Sequence, residues 1–530
     1  MTAKILLGLF LTSVLFALNA QQEPSQIYRY ETALEGGDDH YFPFSMEKDG
    51  IILLRDNRNF KEGKKIWSAI VLDTTLQVVW STSITTESDH QLIGYEYLPG
   101  AFFLLFQKEN HVPFEGQLTK IDFINRQTDN HSLELELNFK LTHFTVAGEN
   151  GILGGTIGSQ PAIALFDGES KRTRILPGFF LTETELLEIK PNRNGTFSLL
   201  QLLSKPGGKT LRYGAYNRNG TLLIEDDFTV DEDHTVMNAT MSILGRDEVL
   251  ISGTFTYKNS RQSAGLFAAP VDPSKDQAIQ WLDYPVLDNF LNYLPTKQSS
   301  KIISKNTQRK QYGREPDFRT YSVVRRIDDQ PFGFTVFGES WSQSSSSMNN
   351  NIPFSPFGAG ALYRPLGMMY PYYWNSGIGS RLDPFNPGIP LTPEIKMLNA
   401  FVIGFDSQGK KLFDFSMPQT DEKRPSNDQH ADYLLLGDSA VFAAPLEEGI
   451  HLSGNVSGVP DSKIVPIRIT EVGAETETNA DEQLLRFWFQ NNFFVHGYQV
   501  IKRKSQGTGV QRKKVFFINR LIFSNQEKVK

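Results

Sequence analysis

Histidine beside an acidic residue is the polar pairing that recurs along this sequence. The chain has nine histidines in 530 residues. His40 and His90 each stand ten residues before a glycine that opens an apolar run, and His143 stands eight before such a glycine. The pairs are Asp39-His40, Asp89-His90, Asp233-His234 and Asp428-Gln429-His430. Carboxylate and imidazole groups together can bind a divalent metal or carry out acid–base catalysis.

Other catalytic signatures are absent from the sequence. It contains no His-Glu-x-x-His, no Gly-x-Ser-x-Gly elbow, no phosphate-binding glycine loop and no cysteine. These patterns would indicate a metalloprotease, a serine hydrolase, a nucleotide-binding enzyme or a cysteine nucleophile. Acidic pairs such as Asp226-Asp227 and Asp328-Asp329 are more typical of turns than of glycosidase carboxylates. We therefore assign no catalytic residue and no cofactor. The sequence favours a non-enzymatic protein, and an enzymatic function stays an open alternative.

The elements that would position these side chains are repeated strands. A turn residue followed by an apolar run begins at Gly50, Gly100, Gly151, Gly195 and Asp247, at intervals of 50, 51, 44 and 52 residues. A turn followed by an apolar run is typical of a buried strand after a hairpin. Periods near fifty residues indicate a propeller or a similar array.

A second unit follows each run: a strand that breaks at a polar turn and resumes. Asp and Asn at this turn tolerate the left-handed conformation and bond their own backbone. Two hairpins per period predict four-stranded sheets, which in a radial arrangement bury their faces on each other. The turn residues are Asp73, Asn125, Asp167, Asn217, Asp272 and Asp406.

Two of these turns resemble a known repeat. Asp73 to Trp80 and Asp406 to Phe413 are similar to the blade turns of pyrroloquinoline-quinone-type β-propellers, which run apolar, Asp, two or three residues, Gly, Lys, apolar, aromatic. The segment Thr75-Leu76-Gln77 lacks the Gly-Lys of that repeat, and Asn217 replaces its Asp. The resemblance implies the fold and no cofactor site, because the class includes both quinone dehydrogenases and non-enzymatic scaffolds of outer-membrane assembly.

The fold prediction is an all-β protein with a single β-propeller of about seven four-stranded blades, within a range of six to eight. Blades are predicted to start near residues 40, 90, 140, 184, 235 and 432, with blade six split by a long loop insertion. The domain prediction is a signal peptide at 1–20, a propeller at 21–475, an insertion at 342–398 and a ring-closing segment at 476–530. That last segment should form a hairpin preceded by a short helix over Asp481 to Gln490.

In this architecture the recurring histidines would stand at the connection into the innermost strand, beside the central channel. In WD-repeat propellers a histidine at this connection is structural and bonds neighbouring strands, and we favour that interpretation. Metal binding or catalysis is the alternative, although no tight ligand spacing supports it. The candidate metal ligands are Asp39, His40, Asp89, His90, His234 and His430.

Two segments do not fit the period. From Pro295 to Arg326 the chain is rich in Lys and Arg, which predicts a solvated loop or a patch for an anionic glycan, lipopolysaccharide or an acidic partner. The insertion is rich in aromatic residues and proline. Exposed rings cost free energy, so they should either cover their own blade or bind a partner, because Tyr, Trp and Met dominate interface cores. The predicted partner-binding residues are Met368, Met369, Tyr370, Tyr372, Tyr373 and Trp374.

The chain begins with the pattern of an export signal. Lys4 precedes an apolar core from Ile5 to Leu18, and Ala20 offers a small residue for cleavage. No later stretch is apolar for long enough to cross a bilayer as a helix. The net charge of −7 and a pI near 5.8 argue against general nucleic-acid binding. We expect a bacterial protein that is periplasmic, outer-membrane-associated or secreted, and short Asp-Ser/Thr-apolar triplets resemble O-glycosylation acceptors of Bacteroidota.

Three functions remain open at this point. The first is a non-enzymatic exported propeller that binds a protein of the cell envelope through the insertion. The second is a glycan-binding or glycan-cleaving propeller in which Tyr372, Tyr373 and Trp374 stack on sugars. The third and most remote is a quinone- or metal-dependent oxidoreductase, because the resemblance reaches only the turns.

Overall fold

The repeated strand pattern folds as an all-β protein. The computed structural model describes residues 24–34, 40–108, 113–135, 137–179, 183–244, 248–257, 262–275, 278–318, 320–343, 382–383, 386–390, 395–419, 423–424, 428–437, 439–456, 459–469, 475–478, 483–504 and 510–523. Its antiparallel sheets of four or five strands are the eight blades of a β-propeller. The predicted fold class and its range of six to eight blades are confirmed, with one blade more than the favoured seven.

The chain divides into two compact units. The first strand, β1 (Arg29–Ala33), belongs to the smaller unit. The larger unit, Asp38–Val71 with Val78–Ala431, contains blades 1 to 6. Blade 1 consists of β2 (His40–Ser45), β3 (Ile51–Lys61), β4 (Lys64–Leu72) and β5 (Val78–Glu87). Blade 2 consists of β6 (His90–Leu98), β7 (Ala101–Lys108), β8 (Glu115–Asp122) and β9 (Gln127–Glu134). Blade 3 consists of β10 (Phe139–Ala147), β11 (Asn150–Ile157), β12 (Gln160–Asp167) and β13 (Arg172–Ile175).

Blades 4 to 6 follow the same plan, with additions in blade 6. Blade 4 consists of β14 (Thr184–Pro191), β15 (Phe197–Lys205), β16 (Gly208–Tyr216) and β17 (Leu222–Val230). Blade 5 consists of β18 (His234–Met241), β19 (Val249–Tyr257), β20 (Gly265–Val271) and β21 (Gln280–Asp283). Blade 6 consists of β22 (Tyr321–Gln330), β23 (Gly333–Gln343), β26 (Ile395–Phe405), β27 (Lys411–Pro418) and β28 (Lys423–Arg424), while β24 (Leu382–Asp383) and β25 (Asn386–Pro390) pair with each other. Short 3-10 helices span Glu47–Asp49 and Tyr284–Val286.

The turns between third and fourth strands follow the sequence pattern. The side-chain Oδ1 of Asn217 accepts hydrogen bonds from the backbone N–H groups two and four residues later, at 3.0 and 2.9 Å. Asp406 accepts the same two bonds, both at 2.9 Å. In blade 2 the acceptor is Asp122, whose Oδ1 lies 2.9 Å from the backbone nitrogen of Asn125. Asn125 is therefore a donor in this turn, and its predicted role as the acceptor is wrong.

Apolar faces of successive blades pack on each other. Between blades 1 and 2 the fully buried Trp67 lies 5.5 Å from the ring of Phe106. The same core cluster contains Ile52 and Leu54 of β3 with Phe102 and Leu104 of β7, all of them in the runs that the repeat identified. Burial of such runs, at roughly 25 cal/mol per Å² of apolar surface, is what stabilises a chain without disulfides.

The smaller unit combines both ends of the chain. It contains blades 7 and 8. Blade 7 consists of β29 (Asp432–Leu436), β30 (Ser439–Leu446), β31 (Gly449–Val456) and β32 (Val459–Val465). Blade 8 consists of β33 (Glu475–Thr478), β34 (Leu484–Phe487), β35 (Asn492–Lys504), β36 (Val510–Ile522) and β1. The predicted final hairpin is confirmed as β35–β36. Strand β1 pairs with β36 from Arg29↔Asn519 to Ala33↔Val515. With β1 added, the C-terminal segment that was predicted to close the ring is a full blade. The number of blades is therefore eight.

Two local predictions are wrong. The stretch predicted as a short helix, Asp481 to Gln490, contains strand β34, which pairs with β35. Apolar spacing alone does not separate a short helix from a strand, and the neighbouring strand supplies the hydrogen bonds. The basic stretch predicted as a loop contains a helix, α1 (Thr296–Gln311). In the part of the chain that the structure describes, no helix is both long and apolar enough to span a bilayer.

Candidate functional site

The first strands of blades 2 to 6 share one irregularity. The first strands of blades 2 to 5 each lie against the first strand of the next blade, so the five strands form the inner layer of the larger unit. Each carries a β-bulge at the same place, between Leu92 and Gly94, Leu141 and His143, Leu186 and Glu188, Val236 and Asn238, and Val324 and Arg326. A bulge inserts one residue into one strand and re-aims the side chains that follow it.

Glycine on the second strand makes room for two of these bulges. A Cβ atom at Gly155 would collide with the carbonyl oxygen of Lys140, and one at Gly338 would collide with that of Val323. Lys140 and Val323 are equivalent residues, each two before the extra residue of its bulge. The close backbone approach explains why glycine stands at both positions.

Polar residues, with Gly94 as the exception, follow the bulges at two equivalent positions. We call them together the inner polar band. The residues one position after the bulge are Gly94, His143, Glu188, Asn238 and Arg326, and those three positions after it are Glu96, Thr145, Lys190, Thr240 and Asp328.

Side chains of this band reach the next blade. Thr145 Oγ1 donates to Glu96 Oε2 at 2.6 Å, joining blades 3 and 2. His143 Nε2 donates to the carbonyl oxygen of Leu187 at 3.1 Å, joining blades 3 and 4. Asn238 Nδ2 donates to the carbonyl oxygen of a residue of blade 6, Ser322, at 3.1 Å. These bonds join blades 2 and 3, blades 3 and 4, and blades 5 and 6. A fourth link joins blades 4 and 5.

That link is made by hydrogen bonds from a buried ion pair of β14 to Thr240 and Met241 of β18. The side chain of Glu188 is 0% exposed, and that of Lys190 is 5% exposed. Lys190 Nζ lies 3.3 Å from Glu188 Oε1 and donates to Thr240 Oγ1 at 2.9 Å and to the carbonyl oxygen of Met241 at 2.5 Å. Glu188 Oε2 accepts from Thr240 Oγ1 at 2.8 Å and from the backbone N–H of Met241 at 2.9 Å. Each charge is thus compensated by a partner and by hydrogen bonds, which buried charges require.

Two carboxyl groups of the inner strands have raised pKa values. Burial raises the pKa of Glu96 to about 7, although the hydrogen bond from Thr145 and the charge of Lys190 act in the opposite direction. Burial likewise raises the pKa of Glu185 to about 7, opposed by the charge of Lys209. At neutral pH both groups can therefore take up or release a proton, a property typical of functional sites.

The raised pKa values predict that these carboxyl groups make stability fall as pH rises. Their folded pKa lies above the ordinary value of 4.5, so their contribution is complete below pH 4.5 and is lost as pH rises towards about 7. We expect Glu96→Gln to gain stability relative to the wild type between pH 5 and pH 8. Melting temperatures across this range test the prediction, with exposed Glu232→Gln as control. A gain equal to that of the control would contradict it.

The structure places the predicted histidines at the starts of inner strands. His40, His90 and His234 are the first residues of β2, β6 and β18. His90 and His234 occupy equivalent positions, each three residues before the extra residue of its bulge, and Phe139, Thr184 and Ser322 stand there in the other blades. Histidine therefore stands at this position in blades 2 and 5 and not in blades 3, 4 and 6.

The imidazoles of His90, His234 and His430 each bond a residue that closely precedes them in the chain. His90 Nδ1 lies 3.0 Å from Asp89 Oδ1, as the pairing in the sequence suggested. His234 Nδ1 bonds Asp231 Oδ1 at 2.6 Å, and its ring stacks on Trp281 with centroids 4.3 Å apart. His430 Nδ1 accepts a hydrogen bond from Arg424 Nη1 at 2.9 Å. Asp39 lies outside the described residues, and within them no three His, Asp or Glu side chains form a group that could hold a metal ion.

The predicted partner-binding residues lie outside the described residues, but the base of the insertion lies within them. Strands β23 and β26 pair from Phe334↔Phe405 to Gln343↔Ile395, with one irregularity between Ser340 and Trp341. At the end from which the insertion leaves, Val323, Trp341, Ile395 and Met397 form a buried cluster, with Tyr321 packed against it. Blade 6 therefore has a complete hairpin and a packed base on both sides of the insertion.

Sequence reasoning missed the inner polar band and a second buried carboxylate, Glu339. The side chain of Glu339 is 0% exposed, and its Oε2 lies 3.1 Å from Arg325 Nε. Its Oε1 accepts from the backbone N–H groups of His430 and Ala431 at 3.0 and 2.8 Å. The available signal was a charged residue inside an apolar strand run, as in Leu186 to Pro191 and Phe334 to Trp341.

Comparison with known proteins assigns no family to the chain. No protein-family model matches the chain, and no curated protein matches its sequence. Among solved structures it is similar to the polysaccharide lyase Uly1, with a TM-score of 0.39, 8% identity and coverage of 93% of this chain and 100% of that chain. It is also similar to the β-propeller domain of the Trilobed protease from Pyrococcus furiosus, with a TM-score of 0.33, 8% identity and coverage of 78% and 93%. A member of the duf4221 family from Bacteroides vulgatus gives a TM-score of 0.29, 10% identity and coverage of 81% and 93%.

Proposed function

We propose that this chain is an exported, non-enzymatic β-propeller that acts as a protein-binding scaffold at the bacterial cell envelope. The observation that carries the proposal is the pairing of β23 with β26, which extends to Gln343 and Ile395, the residues that border the insertion. Blade 6 does not need residues 344–394 to complete its sheet. A long aromatic segment held on a rigid base is typical of loops that carry function.

Three further features support the proposal. The base of the insertion is anchored, since Trp341 is 4% exposed and Met397 is fully buried. The insertion contains Tyr372, Tyr373 and Trp374, residue types that supply most of the binding energy at interfaces. The export pattern of residues 4–20 supports a location in the envelope.

Replacing residues 344–394 with a short Gly-Ser turn tests this function. We expect a cooperative melt near that of the wild type, because shortening a surface loop changes closure entropy little. We also expect the loss of a stoichiometric partner in affinity purification of the tagged protein from its own envelope. The double variant Tyr373→Ala/Trp374→Ala should reproduce most of that loss, since such anchors contribute about 2 kcal/mol or more each.

A matched control removes an exposed aromatic ring elsewhere. Phe60 on β3 is 56% exposed, and Phe60→Ala should keep the partner. If the shortened variant melts several degrees lower or aggregates, the rings cover their own blade and the scaffold proposal is wrong. A stable shortened variant that keeps its protein partner would also refute it, and one that instead loses binding to a polysaccharide would favour the glycan alternative.

A further inference from the structure

The helix α1 carries an unusual concentration of positive charge. Residues 296–314 contain six basic residues and no Asp or Glu, within a chain of net charge −7. The six are Lys297, Lys301, Lys305, Arg309, Lys310 and Arg314. A local excess of one sign against an opposite background attracts ligands of the opposite charge to that place.

The helix is held in a fixed orientation. Ile302 packs against the core shared by blades 5 and 6, and Asn306 is 2% exposed. Asn306 Oδ1 accepts from the backbone N–H of Asp317 at 2.8 Å, and Arg309 Nε donates to the carbonyl oxygen of Glu315 at 2.7 Å. These contacts fix one side of α1, so the opposite side faces solvent.

The solvent side has a regular composition, and we call it the basic face. Its residues follow the helical spacing of three and four. They are Lys297, Lys301, Ser304, Lys305, Gln308 and, directly after the helix, Tyr312. Lys297, Lys301 and Lys305 form a row in which successive Cα atoms rise by about 6 Å.

Three of the six basic side chains are exposed on this face. Among the described residues no carboxylate lies within 4.0 Å of Lys297 or Lys301, and both side chains are exposed. Lys305 lies 3.7 Å from Asp317 with its side chain 59% exposed. Lys310, which pairs with Asp283, points to another side of the helix. The basic face therefore presents three exposed ammonium groups in sequence.

The uncharged residues of the face favour a sugar chain over a protein. Ser304 and Gln308 offer hydrogen-bonding groups beside the lysines, and Tyr312 is 72% exposed. An exposed phenol ring is a flat apolar surface on which a sugar ring can pack. A protein interface needs apolar anchors at its centre. The exposed apolar residue of α1, Ile303, is 38% exposed and lies on a different side of the helix from the row.

We propose that the basic face of α1 binds a linear glycan that carries carboxylate groups at short, regular intervals. The carboxylates pair with the ammonium groups of Lys297, Lys301 and Lys305, and a sugar ring packs on Tyr312. No covalent step is involved. The site lies on α1 and is independent of the insertion between β23 and β26.

Binding of polygalacturonate to the full chain at low salt tests this site. We expect Lys297→Gln/Lys301→Gln to weaken the affinity about tenfold, because two exposed ion pairs are lost, and to make its salt dependence shallower. Tyr312→Ala should weaken binding while leaving the salt dependence unchanged. The matched control is Lys48→Gln/Lys61→Gln, which removes two exposed lysines of blade 1 and should bind as the wild type does.

The outcomes separate the proposal from general attraction between charges. Neutral dextran should not bind. The proposal is overturned if polygalacturonate does not bind at low salt, if the control variant loses as much affinity as Lys297→Gln/Lys301→Gln, or if single-stranded DNA of equal charge binds as tightly. Unchanged melting temperatures of the variants establish that any loss belongs to the site, since both lysines are exposed.

Discussion

Replacing Glu188 with alanine is expected to lower the free energy of unfolding by about 3–5 kcal/mol, the usual cost of breaking a buried ion pair from one side. The variant leaves the ammonium group of Lys190, only 5% exposed, without its carboxylate. It also removes the acceptor of the Thr240 hydroxyl and of the backbone N–H of Met241, both at hydrogen-bonding distance. A shift of the urea unfolding midpoint to lower concentration measures the effect.

A double variant separates the unpaired charge from the loss of packing. Glu188→Met/Lys190→Met removes both charges and retains most of the side-chain volume, so it should recover much of the stability. Exposed Glu225→Ala, on the outer strand of the same blade, should cost less than about 0.5 kcal/mol. If Glu188→Ala unfolds at the same urea concentration as the Glu225 control, the ion pair and its hydrogen bonds to blade 5 do not stabilise the fold as described.

The second large effect is expected from Glu339→Ala. Its carboxylate accepts hydrogen bonds from two consecutive backbone N–H groups, those of His430 and Ala431, and pairs with Arg325. Truncation removes this acceptor from the buried donors. Because each unsatisfied buried donor costs about 1–3 kcal/mol, we expect a loss of roughly 3 kcal/mol or more. Urea unfolding measures it.

The conservative variant Glu339→Gln makes this prediction specific. Glutamine keeps one oxygen acceptor but loses the charge that faces Arg325, so we expect a smaller loss than for alanine. Proteolysis should also become faster near residues 425–431, because the carboxylate fixes the backbone at His430 and Ala431. Exposed Glu448→Gln serves as control. Equal stability of Glu339→Ala and the control would show that other contacts hold this connection.

The blade plan could be predicted from the sequence because its signals are local. The predicted starts near residues 40, 90, 140, 184, 235 and 432 agree within one residue with the first strands β2, β6, β10, β14, β18 and β29. A turn such as that of Asp406 depends on hydrogen bonds to residues two and four positions later. Such bonds need no distant partner, so residue type alone predicts them.

The candidate site could be predicted only in part. The sequence placed His90 and His234 correctly at the entries of inner strands, because each stands shortly before a repeated apolar run. It did not predict that the other blades have Phe139, Thr184 and Ser322 at this position. The acceptor of His234 is Asp231 and not the adjacent Asp233. Side-chain pairing within a turn depends on backbone conformation, which residue order does not specify.

The sequence by itself determined that this is an all-β repeat protein with a long aromatic insertion in a late blade, since alternating turns and apolar runs leave few other ways to bury the strands. The tertiary structure decided the rest. Strand β1 pairs with a strand that begins at residue 510, and Glu188 meets Thr240 across 52 positions. Contacts at such separations have no local signature, and the bulges that aim these side chains exist only when neighbouring strands are paired.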